Sequence, residues 1–209
     1  MKSAQEHTLA GAFKNPAVWL LCLLYFLMNI GGYGYEMWLP TVIKGMSGQG
    51  NATVGLISAI PYFVTGIVMY VVSRHSDLKN ERRGHVAVSA LSAAIGFGIA
   101  ATVKNPYIAF VGLIIAFAGI KSTIAPFWAW TTGFLSGSAA AGGIALINSV
   151  GNLGGFFGPT FVGIIKDYTG GNAGALLLLG GALLGMAVFA FAVPQNPSKR
   201  SVPGSIEAK

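Results

Sequence analysis

Apolar residues run through this chain in long stretches, and polar residues are confined to short segments between them. A helix needs about 20 mostly apolar residues to cross the hydrocarbon of a bilayer. Six stretches qualify: about Pro16–Ile43, Val54–Val72, Val86–Val103, Pro106–Phe127, Ala140–Ile165 and Ala173–Val193. Turn chemistry separates several of them, in "GMSGQGN", the charged "SRHSDLKNERRGH", "KNP" and "KDYTGGN", and Pro194 and Pro197 close the last. The pattern predicts an all-α membrane protein of six transmembrane helices over residues 15–194, with a polar prefix at 1–14 and a polar tail at 195–209. The first stretch is longer than a secretory h-region of about 7–15 residues, and no A-x-A-like site follows it, so it is expected to span and to stay.

Composition supports lipid as the solvent. Residues of the AVILMFWYC set make up 54% of the 209, and only 9% are charged. A soluble domain carries about a quarter charged residues, so this supply cannot coat a globule of the same size. The net charge of +7 could suggest nucleic acid, but the basic residues fall in the connections and form no single patch, which argues against that partner. With the N-terminus inside, Lys2, Lys14, Arg74, Lys79, Arg82, Arg83, Lys199, Arg200 and Lys209 face the cytoplasm. Lys44, Lys104 and Lys166 face outward, and the bias places both termini in the cytoplasm. Cys22 stands alone, so no disulfide or thiolate metal site can form. His7, His75 and His85 match no metal-ligand spacing, and neither a metal nor a cofactor is expected.

The candidate chemistry lies in the few polar groups inside the spans. "NIGGYGYEMWLP" has three glycines in four residues followed by Pro40, which predicts a weakened helix toward the outer end of span one. Freed backbone groups survive in a membrane only where they line a cavity. Tyr33 and Tyr35 could point there, or could join Trp38 in an interfacial belt. Glu36, the one acid within the predicted spans, is a proton-relay candidate; its distance from Pro16 places it near the outer rim, close to Lys44, which is the plainer reading. Lys121 sits inside "IIAFAGIKSTIAPFWAW". It can snorkel to the cytoplasmic surface, or share a face with Trp128 seven residues on and contact an anion. The pairs Gly151/Gly155, Gly154/Gly158 and Gly181/Gly185 predict close helix approaches. Asn148 and Asn152, four apart, share a helix face and seek hydrogen-bond partners.

Two motifs resemble known sequences. "SRHSDLKNERRGH" resembles the cytoplasmic loop motif of the major facilitator superfamily, although Ser73 and Asn80 stand at its glycine places and Leu78 at a common arginine. The resemblance implies that Asp77, Arg82 and Arg83 form a gating latch. "PFWAWTTGFLSGSAAAGGIALINSVGNLGGFFGPTFVGIIKDYTGG" is similar to the tenth-to-twelfth-helix region of the anion:cation symporter family within that superfamily. "GAFKNPAVWLL" and "WLPTVIK" resemble the entry and end of helix seven. The likeness implies the C-terminal half of a transporter in a bacterial cytoplasmic (inner) membrane, coupling an organic anion to a cation, a proton above all, by alternating access. It places Asn148, Trp128 and Asn152 at the substrate and requires an N-terminal six-helix half as partner. The sequence holds no nucleophile–base pair, paired carboxylates or P-loop, so an enzyme is not expected. A membrane subunit or sensor that keeps the fold without transporting is the competing reading.

Overall fold

The computed structural model describes residues 13–135 and 138–194, whose regular elements are all α-helices. They are α1 (Pro16–Ser47), α2 (Asn51–Lys79), α3 (Arg83–Thr102), α4 (Pro106–Ser122), α5 (Ile124–Phe134), α6 (Ser138–Asn152), α7 (Gly154–Thr169) and α8 (Ala173–Ala190). Six stretches are long and apolar enough to cross a membrane, α4 with α5 forming the fourth and α6 with α7 the fifth. Lys2, His7, Lys199, Arg200 and Lys209, with most of the prefix and the whole tail, lie outside the described residues.

Local chemistry sets the ends. Asn15 and Asn105 cap α1 and α4: each side-chain oxygen accepts a backbone N–H, from Ala17 at 2.9 Å and from Tyr107 at 2.9 Å. A proline follows each cap at the first helical position, where its missing N–H costs nothing. Gly48, Asn80 and Gly170 end α1, α2 and α7 in the left-handed conformation that glycine and asparagine tolerate best.

The expected weakening of span one is not found. α1 runs unbroken for 32 residues with Pro40 inside it. Gly31 and Gly34 serve packing instead: a Cβ there would collide with Leu183 and Leu179 of α8. The interruptions fall in spans four and five. At Thr123 and Leu153 the backbone N–H reaches back only three residues, to Ile120 and Val150, at 3.2 Å each. Pro126 accounts for the first, because it cannot bond the Ser122 carbonyl and its ring crowds it.

Small residues set the helix contacts. Gly154 and Gly158 of α7 lie against the α1 backbone at Phe26 and Ile30, Gly151 against the Tyr25 ring, and Gly155 against that of Tyr33. The GxxxG expectation holds for these two pairs. It does not hold for Gly181/Gly185: Gly181 faces open space, and Gly185 makes only ordinary contact with Leu27. The register of α8 turns Gly180 toward Phe97 and Ala94 of α3 instead. A second close crossing joins α3 and α4, where Gly96, Gly112 and Gly119 each meet the opposing backbone. α1 is thus held between α6–α7 and α8, and α3 between α4 and α8. α2 leans mainly on α4 and leaves Leu56, Phe63 and Tyr70 exposed.

Candidate functional site

Midway along the bundle, α1 and α4 part to leave a recess of about 150 Å³. The spacing of Tyr25, Asn29, Tyr33 and Glu36 puts all four on one stripe of α1, and they line it with Gly32 and Met28. Ile120, Lys121 and Ile124 line the other wall, where α4 gives way to α5. Thr123, at that junction, donates its hydroxyl to the Met28 sulfur at 2.8 Å and ties the two walls together.

Lys121 does not stand alone. Its Nζ lies 2.7 Å from Glu36 Oε1 and 5.3 Å from the centre of the Phe117 ring. Glu36 is correspondingly not a rim residue beside Lys44, whose Nζ donates to Asn51 Oδ1 instead. The rim reading considered α1 alone; the packing of α1 against α4 brings Lys121, and not Lys44, to Glu36. Measured from Ser47, Glu36 lies about 16 Å in; Lys121 lies about 22 Å from Pro106. The two charges meet at comparable depth. Tyr33, Glu36 and Lys121 are therefore brought together.

The asparagines join the recess through a residue that sequence reasoning missed. Asn29 is 8% exposed; its Nδ2 donates to the Gly151 carbonyl at 3.0 Å and to Asn152 Oδ1 at 3.3 Å. Asn152 in turn donates to Asn148 Oδ1. A ladder of amides thus runs from the recess to the exposed face of α6. Trp128 packs edge-on against Tyr25, ring centres 5.1 Å apart, and Tyr25 stacks on Phe127. Trp128 thus stands behind a recess-lining ring. Tyr35 is buried, stacked on Phe117, and Trp38 donates its indole N–H to the Pro159 carbonyl at 3.2 Å. Tyr25 and Asn29 were legible as a stripe ending at Glu36, a signal that emerges only once Glu36 is known to face inward.

The α2–α3 connection is a second cluster. Arg82 pairs with Asp77 and donates to Ser76 Oγ at 3.1 Å, while Ser76 donates to the Glu81 carbonyl at 2.6 Å. Arg83 does not share this pairing; its guanidinium lies 4.8 Å from the centre of the Phe191 ring, just past α8. Glu81 caps α3 by accepting the Gly84 and His85 amides at 2.6 and 3.2 Å and the His85 ring at 2.7 Å. Partial burial works to raise the Glu81 carboxyl, but these bonds outweigh it and hold it below the ordinary carboxylate range. His85 Nε2 meets His75 Nδ1 at 2.7 Å. No group of three or more His, Cys, Asp or Glu able to hold a metal occurs among the described residues.

Six spanning helices surround a recess that holds an ion pair and the Asn29 amide, and sequence comparison supplies the family. The signature of the Major Facilitator Superfamily matches residues 2–159, and the chain belongs to that superfamily. It is 37% identical over 208 residues, its whole length, to a protein of Agrobacterium vitis named "Putative tartrate transporter", covering 45% of that protein. It is 38% identical over 168 residues to a quinolone resistance transporter of Acinetobacter baumannii, across 80% of this chain and 39% of that one. It is 31% identical over 197 residues to the inner membrane transport protein RhmT of Escherichia coli K12, across 93% and 46%. The chain thus spans less than half the length of these relatives, and it corresponds to the C-terminal half of a transporter. Its family is one of transporters and not of enzymes.

Proposed function

We propose that this chain forms the C-terminal half of a secondary transporter that moves an organic anion together with a proton by alternating access. A sugar acid, a dicarboxylate or an aromatic carboxylate fits the proposal. The observation that carries it is Lys121, a cation at membrane depth that faces a recess and not the bilayer surface. An ionisable residue held at that depth marks a substrate or ion path. The amides of Asn29, Asn152 and Asn148 offer donors and acceptors for the hydroxyls or second carboxylate of such an anion, and Tyr25 and Tyr33 supply its aromatic walls, with Trp128 backing Tyr25. A relative named "Putative tartrate transporter" supports an anionic substrate.

Transport by this fold needs a second bundle for the site to rock against. The exposed apolar side chains of α2 and of α6–α7 suit docking of an N-terminal six-helix half, with the Asp77–Arg82 pair as part of the latch between states. Both termini then lie in the cytoplasm of a bacterial inner membrane.

The test is uptake of radiolabelled tartrate, gluconate and benzoate by cells that carry the chain joined to a first half. Lys121→Gln is expected to reduce uptake severalfold while the protein still fractionates with the membrane. Unchanged uptake kinetics would remove Lys121 from the site.

A further inference from the structure

Resting on the anion site just proposed, we infer that Glu36 is the built-in occupant of that site and the group through which this half couples an anion to a proton. Glu36 Oε1 sits 2.7 Å from Lys121 Nζ, where a substrate carboxylate would have to sit. Both side chains remain partly open to the recess, 31% and 26% exposed, so an incoming anion can reach the ammonium. On its other side Lys121 has only the face of Phe117. The remaining acids of the described residues, Asp77, Glu81 and Asp167, lie near helix ends. No second acid lines the recess.

One ammonium has N–H donors enough for two carboxylates but only one charge to balance them, so a second carboxylate leaves a negative charge uncompensated. A carboxylate that loses its partner away from bulk water is strongly destabilised and is relieved by a proton. In the empty state the charges of Lys121 and Glu36 cancel. When a substrate carboxylate accepts the Lys121 N–H bond, Glu36 is displaced, takes one proton from water and becomes a neutral acid. The recess then holds Lys121, the substrate carboxylate and protonated Glu36, and its net charge is again zero. One proton accompanies each anion, and release reverses both steps. The groups around Glu36 leave it as the acceptor. Lys121 faces it from α4, and the phenols are Tyr33 and Tyr35 on α1 and Tyr62 on α2. None of the three is a carboxylate, and the nearest groups toward α6 are the amides of Asn29 and Asn152, which do not titrate.

Titration calorimetry of the purified full chain with tartrate, gluconate and benzoate, in buffers of different ionisation enthalpy, reads the proton directly. About one proton should be taken up per anion bound, and affinity should fall about tenfold for each unit rise in pH. Glu36→Gln should bind the anion without proton uptake and with a flat pH profile, more tightly than the parent at high pH. Glu36→Asp should retain the uptake, and Lys121→Gln should lose most of the binding; thermal melting confirms that each variant is folded. Persistence of the one-proton uptake in Glu36→Gln, with binding still lost in Lys121→Gln, would overturn the role of Glu36 and leave the anion site standing. Parent-like binding by Lys121→Gln, or no binding of the three acids by the parent, would overturn the site itself and the inference with it.

Discussion

Asn29 shows how much one side chain in the membrane can organise. It is nearly fully buried, and its amide bonds the Gly151 carbonyl and leads on to Asn152 and Asn148. Hydrogen bonds between spanning helices are worth about 0.6–2 kcal/mol. Replacing Asn29 with leucine is expected to destabilise the bundle by about 1 kcal/mol, seen as a lower melting temperature in detergent; an unchanged melt would leave the ladder without structural weight. Residue types inside spans were readable from the sequence, and so were the individual candidates Tyr33, Glu36, Lys121, Asn148 and Asn152. What they touch was not. Lys121 is compatible with snorkelling when only its own helix is considered, and its pairing depends on a residue 85 positions earlier.

At the scale of elements, glycine is a better guide to contact than to flexibility. Three glycines in span one suggested a break, yet Gly31 and Gly34 make room for α8, and α1 stays continuous. At the α3–α4 crossing, a Cβ on Gly112 would stand 2.7 Å from the Gly96 carbonyl oxygen. Gly112→Val is therefore expected to cost about 1–3 kcal/mol or more by overpacking. Gly181→Val, on a residue with nothing within 4 Å, should cost little; its helix-propensity term even favours it. Equal melting temperatures for the two variants would refute the assigned crossing. Both glycines lie in apolar runs and cannot be told apart there; the rotation of each helix about its axis is what separates them.

Considered whole, the molecule places its charges by two rules. Those in the connections are expected to follow membrane topology. A membrane-impermeant maleimide should label Lys104→Cys in intact cells and Lys79→Cys only after permeabilisation, since both positions are exposed; the opposite pattern would invert the orientation. The charges within spans answer to each other, as Glu36 and Lys121 do. By itself the sequence determined the six spans, their approximate ends, the lipid environment and the superfamily, because these depend on local hydrophobicity, on capping residues beside the proline and glycine breaks, and on contiguous motifs. Tertiary structure decided where the helices kink, which glycines carry the crossings, and that Tyr25, Asn29, Glu36 and Lys121 share one recess. Those outcomes depend on how distant helices rotate and pack against each other, and no window of sequence contains both partners.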